Sequence, residues 1–415
     1  MTRPSPLHVC LVTPGHLSTN PRLVKEADAL AAAGCAISIV SARFIPWADE
    51  ADSEFASRHW TVRRVAFGPI AGRARHVAQS LRRRAGLLAY KLLGCCAEIA
   101  FHPVIPTLTR AACAVPADLY IAHNLAALPA ACRAAQRHGA RLGFDAEDFH
   151  SGELNDTPEN ALPLRLTRDI ERRYLSRCDY LTAASPGIAR AYADAYGVKE
   201  PVVIFNVFPK SDAPGAPTPR GTAQPSPSLY WFSQTIGPDR GLETVVEAIG
   251  LSRSRPTLFL RGNPSPGYPS QLSALAAKCG VADCVRILPP APPGEMVRLA
   301  AQYDVGIASE PGHTPNNRLA LPNKLFTYLL AGVPALASDT SAQSAIAAEM
   351  PEAVVVYPQQ DAQVLAARMD QLLSSTDTLN AARTAAWQAG HSRFNWDIEQ
   401  RTLLQVIESA LGRSE

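Results

Sequence analysis

Short runs rich in Val, Ile and Leu alternate with helical patterns along nearly the whole chain, and the alternation restarts once after a proline-rich break. Parallel strands need a crossover long enough to hold a helix, so this pattern predicts parallel sheets covered by helices on both faces. The first series comprises strands at 8–12, 35–41, 60–67, 117–123, 140–146, 179–185 and 201–206, with helices near 125–138, 162–177 and 186–196. Asn20-Pro21 supplies an N-cap and an N1 proline for a helix that stops at Gly34. Residues 209–228 hold six prolines and two glycines in 20 positions and read as a linker. Strands at 229–233, 257–261, 284–288, 304–309, 333–338 and 353–357 follow. The expected fold class is α/β, two doubly wound Rossmann-like domains at 1–208 and 229–390, with a terminal helical segment at 391–415. A length of 415 residues agrees, because one core stops growing near 250–300 residues.

Composition narrows the class. With 47% hydrophobic and 19% charged residues the chain is globular rather than disordered. Its nine cysteines are scattered without the paired spacing of a zinc or redox site and read as reduced core residues. The start lacks the apolar core of an export signal, and the longest apolar stretches are broken by Lys91 and Glu98, so a cytoplasmic protein without a membrane span is expected. Net charge is only +3, but nine Lys/Arg and a single acid, Glu98, lie between Arg63 and Arg110. Within 73–101, Val77, Leu81, Ala85, Leu88, Leu92, Cys95 and Ile99 recur at spacings of three and four, with Arg82, Arg83, Arg84 and Lys91 beside or opposite them. That is the pattern of a helix lying on an anionic membrane, or of a helix packed on its own domain with solvated arginines. Aromatic residues do not interleave with the basic ones, which argues against nucleic acid.

Ligands of doubly wound folds sit beyond the carboxyl ends of the strands. After the first strand, TPGHLSTNPR (13–22) places Gly15 in a strand-to-helix turn, either a plain turn or a phosphate contact, with His16 beside it. The G-x-G-x-x-G of a dinucleotide site is absent. His123 ends a strand, as a hydrogen-bonding or proton-handling group or as a structural one. Asp145, Glu147 and Asp148 end the next, as acid/base groups or as a solvated rim; no D-x-D occurs, and no metal is expected. In the second half, Gly237 and Arg240 in SQTIGPDRGLE (233–243), and Arg261 in RGNPSPG (261–267), occupy corresponding strand ends, where a guanidinium beside free amides suits a diphosphate. In ASEPGHTPNNRLALPNKLFTYLLAGVPALASD (308–339) a polar loop with Glu310 precedes Pro322-Asn323-Lys324, which opens a helix closed by Gly332. A lysine there works against the helix dipole; either an anionic ligand resolves the conflict or the lysine is solvated.

The segments TPGHLSTNPRLVKEADALAAAG, LYIAHNLAALPAA, GFDAED, GPDRGLETVVEAI and LPNKLFTYLLAGVPALASD together resemble the GT-B glycosyltransferases of family 4, over about residues 7 to 390. The resemblance implies two Rossmann-like domains facing a cleft, with the donor nucleotide sugar on the C-terminal one and the acceptor on the N-terminal one. It also implies a C-terminal helix crossing back to the first domain. By position, Arg240 and Lys324 match the basic residues on the donor diphosphate, His123 the histidine facing the donor sugar, and Gly15 the glycine beside the phosphates. Gly237, Arg261 and Asn323 join the donor set, while His16, Asp145 and Glu147 fall on the acceptor side. Thr327 and Leu319 stand where the family's E-x7-E signature has glutamates; Glu310, from a longer loop, and Thr327 are the groups available in their place. The implied activity is transfer, with retention and without a metal or other cofactor, of a hexose-type sugar from a nucleoside diphosphate sugar to a glycan or lipid-linked glycan. The cytoplasmic face of the membrane is the implied location. The altered signature keeps open a catalytically idle GT-B subunit that binds a glycan or partner enzyme, and Asp145 or Glu147 a GT-B epimerase or hydrolase.

Overall fold

The computed structural model describes residues 6–219 and 226–412. The chain divides into two units: one runs to Ile204 and takes in the chain from Gln400 onward, the other is Phe205–Glu399. Each is α/β.

In the first unit β1 (His8–Thr13), β2 (Ala36–Arg43), β3 (Trp60–Ala66), β4 (Leu119–His123), β5 (Arg141–Ala146), β6 (Tyr180–Ala183) and β7 (Val202–Val203) form one parallel sheet in the order β3-β2-β1-β4-β5-β6-β7. All of β4, and β1 beyond His8, are buried, as expected of strands covered on both faces. The strand order reverses between β1 and β4, so the loops after these strands open into the crevice where such folds bind ligands. The helix Pro21–Ala32 begins as its sequence predicts, with the Asn20 side chain accepting from Leu23 N and Pro21 at N1.

The second unit repeats the plan. β8 (Ser228–Ile236), β9 (Thr257–Pro264), β10 (Val285–Leu288), β11 (Val305–Ala308), β12 (Ala335–Ser338) and β13 (Val354–Tyr357) form a parallel sheet ordered β10-β9-β8-β11-β12-β13, reversing between β8 and β11. β8 and β9 both outrun the sequence expectation, pairing on to Ile236 and Pro264 past an irregularity between Phe232 and Thr235. Consequently Arg261 sits inside β9 and not at its end. Residues 220–225 of the proline-rich stretch lie outside the described residues. Before them, the carbonyls of Pro214 and Thr218 accept from Trp387 Nε1 and Arg383 Nε, which docks that part of the segment on the second unit. The helix Trp396–Ala410 holds the passage of the chain from the second unit back into the first.

The basic segment is not one helix. Arg73–Leu93 ends at Gly94, whose φ of 64° caps it, Cys96 follows at φ 63°, and Ala97–Phe101 forms a separate short helix. Cys95 and Ile99 therefore leave the predicted seam. A Cβ on Gly86 would stand 2.9 Å from Ile99 Cγ2, so the two helices meet at that glycine. Within the long helix only Gly86 and Tyr90 are buried, while Val77, Leu81, Leu88, Leu92 and Leu93 are 55–77% exposed. At about 100° per residue, Val77, Leu81, Leu88 and Leu92 share the side roughly opposite Gly86 and Tyr90. Arg73, Arg84 and Lys91 border that apolar stripe on one flank, Arg75 and Arg82 on the other.

Candidate functional site

In the first unit the strand ends converge on a buried charge cluster. Arg22 and Glu26, four residues apart on the inward face of Pro21–Ala32, are both buried. Arg22 donates from Nε to Asp145 Oδ2 (2.6 Å) and from Nη2 to Oδ1 (2.7 Å), a bidentate pair, and from Nη1 to Ile204 O (2.6 Å). Thr182 Oγ1 adds a bond to Asp145 Oδ1 at 2.7 Å. Burial alone would raise the Asp145 carboxyl, but Arg22 and His123 outweigh it and hold it well below the usual carboxylate range. His123 is buried between Glu26 Oε2, 2.8 Å from Nε2, and Asp145 Oδ2, 3.4 Å from Nδ1. Glu147, half-buried beside them, has its pKa raised, first by burial and then by Asp148 and Asp145 against the opposing Arg22. Asn124 follows His123 with φ 73° and is exposed at the mouth of β4, a conformation that Asn tolerates better than most residues.

Several residues singled out from the sequence have other tasks here. His16 is fully buried: its Nε2 accepts from Phe44 N and Ile45 N, each at 3.0 Å, and Nδ1 faces Asp52 Oδ2 at 3.4 Å. It fixes the loop after β2 and presents neither nitrogen to a ligand. Asp145 is likewise consumed by Arg22 and Thr182 and is not a free acid/base group. Gly15 keeps a negative φ, and a Cβ there would meet only ordinary contacts, so the turn does not depend on glycine.

In the second unit the polar groups gather at the ends of β8 and β11. Lys324, in the first turn of the helix Asn323–Ala331, is buried, with Nζ 3.0 Å from Glu310 Oε1 and 5.5 Å above the Trp231 ring. Pro322 precedes this helix and no side chain caps it, which leaves its first amides unsatisfied by side chains. Glu310 is held in turn by Ser338: its N–H donates to Ser338 Oγ (2.8 Å), which donates back to Glu310 O (2.7 Å). Arg240, half-buried, lies on the loop after β8, its carbonyl accepting from Ser309 Oγ at 2.7 Å. Gly241 beside it needs its φ of 68°, whereas a Cβ on Gly237 would meet only the movable Ser265 hydroxyl, at 2.7 Å. A small recess opens here between Gly241, Thr244, Ser309, Glu310, Ser338 and Tyr357. Thus the Arg240 backbone, Glu310, Asn323 and Lys324 come together at the switch between β8 and β11, while Gly237 lies against Ser265 beyond β9.

Two donor-side expectations fare differently. Arg261 donates to Tyr230 Oη (2.9 Å) and Pro289 O (2.8 Å), which ties its guanidinium into the sheet. Thr327 is fully buried and its hydroxyl donates to Asn323 O, one turn back. Sequence reasoning missed Arg22, Glu26, Trp231 and Ser338. The signal for the first two was present: charged residues at 22 and 26 interleave with Leu23, Ala27 and Leu30 on the buried side of an amphipathic helix. Among the described residues no group of three or more His, Cys, Asp or Glu is arranged to hold a metal ion.

Residues 19–206 match the family model of a glycosyl transferase 4-like domain. A D-inositol 3-phosphate glycosyltransferase of Thermobispora bispora is 28% identical over 262 residues, 59% of this chain and 59% of the relative's length. The chain thus spans under two thirds of that relative. The fold is similar to Anabaena Alr3699/HepE, solved with UDP and glucose, at TM-score 0.70, 14% identity and coverage of 97% of this chain and 100% of that one. It is also similar to sucrose-phosphate synthase of Thermosynechococcus elongatus, at TM-score 0.70, 15% identity and coverage of 98% and 100%. The first unit thus matches a glycosyl transferase 4-like domain, and the chain as a whole has the fold of these solved structures.

Proposed function

We propose that this chain transfers a sugar from a nucleoside diphosphate sugar to a glycan or lipid-linked glycan, with retention of configuration and without a metal ion. The observation that carries the reading is Lys324. A buried ammonium sits at an uncapped helix N-terminus beside the switch between β8 and β11, with Arg240 on the neighbouring loop. Amides, dipole and a buried ammonium at one helix start, with Arg240 on the adjoining loop, favour a diphosphate, and they would neutralise the charge that develops as it leaves the sugar. Fixed cations do there what a metal does elsewhere. UDP in the complex of Alr3699/HepE makes uridine diphosphate sugars the first donors to try.

The exposed stripe of Arg73–Leu93 supports an acceptor at a membrane. Among the described residues no helix is long and apolar enough to cross a bilayer. This helix instead pairs four outward apolar side chains with flanking cations and no acid, the arrangement of a helix lying in an anionic interface, here the cytoplasmic one. A second reading, a GT-B subunit that binds without transferring, draws on Thr327, whose hydroxyl is already committed within its own helix.

The test is thermal stability of the wild type, Arg240→Ala and Lys324→Ala with a panel of nucleoside diphosphates and their sugars, followed by product analysis. A ligand at 100 times its Kd adds about 2.7 kcal/mol, roughly 5–10 °C for a unit of this size. A shift with one nucleotide, lost in both variants, and sugar transfer with retained configuration are expected. No shift with any nucleotide would sink the donor site, and a shift without transfer would favour the binding subunit.

A further inference from the structure

The cluster under β4 and β5 specifies the state of His123. Its two ring nitrogens each face a carboxylate oxygen of a different element, Glu26 from the helix Pro21–Ala32 and Asp145 from β5. A neutral imidazole carries a lone pair on one nitrogen, and aimed at either carboxylate that lone pair is repelled. The ring protonated on both nitrogens is the form that both carboxylates attract. We propose that Glu26 is a positioning residue which, with Asp145, fixes His123 as an imidazolium, so that His123 serves the transfer site as a buried positive charge and is excluded as a base.

The surroundings agree. The Nε2 contact to Glu26 is short but not aligned as a hydrogen bond, so it acts chiefly through charge. The charged and titratable groups around the ring are Glu26 from the helix, Asp145 from β5 and Glu147 just after it; Arg22 of the helix pairs with Asp145, and the Tyr180 phenol of β6 is driven up by burial and by Glu26 and Asp145. Arg22 and His123 thus balance Glu26 and Asp145, two charges against two. Burial by itself would lower the imidazole's pKa, but Glu26, then Asp145, outweigh it and raise it to about 9. Glu26 was not a candidate from the sequence, and His123 so held differs from a histidine that reaches out to a sugar.

The role in transfer rests on the function proposed above; the charge state does not, and the experiment separates them. The ring nitrogens of the full chain, labelled with ¹⁵N at histidine, are titrated by NMR, with His123→Gln to assign the signal. In the wild type both nitrogens are expected to stay protonated until about pH 9. Glu26→Gln should bring the titration down by more than one pH unit, and Glu26→Asp, which keeps the charge, should restore most of it. A wild-type His123 that titrates near 6.5 or below, or one that Glu26→Gln leaves unmoved, overturns the proposal. Should Glu26→Gln not fold, the wild type and Glu26→Asp decide it. With a nucleotide sugar, Glu26→Gln should move the alkaline limb of the kcat profile by the same interval and leave the nucleotide-induced melting shift unchanged. A titration that follows Glu26 while the kcat profile stays put refutes the positioning role alone. Absence of any nucleotide shift in the wild type refutes the transferase reading and leaves the charge state standing.

Discussion

Lys324 and Glu310 neutralise each other at 3.0 Å, and if a diphosphate is to enter that helix N-terminus it has to compete with the carboxylate. Glu310→Gln would leave a buried ammonium without its ion-pair partner. That should cost the unliganded protein about 3 kcal/mol and make a bound diphosphate the better replacement. The expected outcome is a lower melting temperature without nucleotide and a larger nucleotide-induced rise than in the wild type; a smaller rise would mean that Glu310 helps to hold the donor. The first unit makes a prediction of its own at this scale. His123, raised to about 9 from an ordinary 6.5, contributes stability that is complete below about 6.5 and is lost as pH rises through 9. Asp145, depressed from an ordinary 3.8, contributes stability present above that value and lost as pH falls below it. Denaturant midpoints should therefore be highest between about pH 4 and 6.5 and fall toward pH 9.5, and Glu26→Gln should flatten the alkaline side of that curve.

The element that most invites a test is the helix Arg73–Leu93. Each basic residue near an anionic surface is worth about 1 kcal/mol, so Arg82, Arg84 and Lys91 replaced together by Gln should weaken binding to phosphatidylglycerol vesicles roughly 100-fold at low salt. Leu88→Ser with Leu92→Ser should lose binding without losing fold stability, because both side chains are exposed already. Vesicle binding absent in the wild type would return this helix to a solvated face. This element also shows where sequence legibility ended. Its amphipathic period was readable, but a period of 3.6 continues in register across a gap, so only the left-handed Gly94 and Cys96 reveal that the seam stops at Leu92. Strands were easier. The thirteen described strands announced themselves as short apolar runs, but their ends were less legible: β7 is only Val202–Val203 of the expected 201–206, and β8 and β9 run on where polar residues such as Gln234 and Asn263 continue the pairing. Lys324 stood out in the sequence because a lysine in the first turn offends the helix dipole. His16, Asp145 and Arg261 misled because a polar residue near a strand end reads the same whether it faces a ligand or serves the fold, and its partners, Phe44, Arg22 and Tyr230, lie 28 to 123 positions away.

At the scale of the whole chain, the two units use one device twice. In each, a central strand carries a glycine beneath a tyrosine ring: Gly143 of β5 under Tyr180, and Gly306 of β11 under Tyr328. A Cβ at either position would overlap that ring, and both tyrosines are buried, Tyr328 with its hydroxyl bonded to Tyr230 O and Ile307 O. Overpacking of this kind costs typically about 1–3 kcal/mol, or roughly 2–4 °C per kcal/mol in units of this size. Gly143→Ala and Gly306→Ala are therefore local probes, each reporting on the unit that contains it. Because a two-domain chain need not unfold in one step, calorimetry of the two variants can assign the melting of each unit. A nucleoside diphosphate stabilises only the part that binds it. If Lys324 and Arg240 form the donor site, the nucleotide should raise the transition that Gly306→Ala lowers. A nucleotide that instead raised the transition sensitive to Gly143→Ala would move the donor site to the cluster around His123, Arg22 and Asp145.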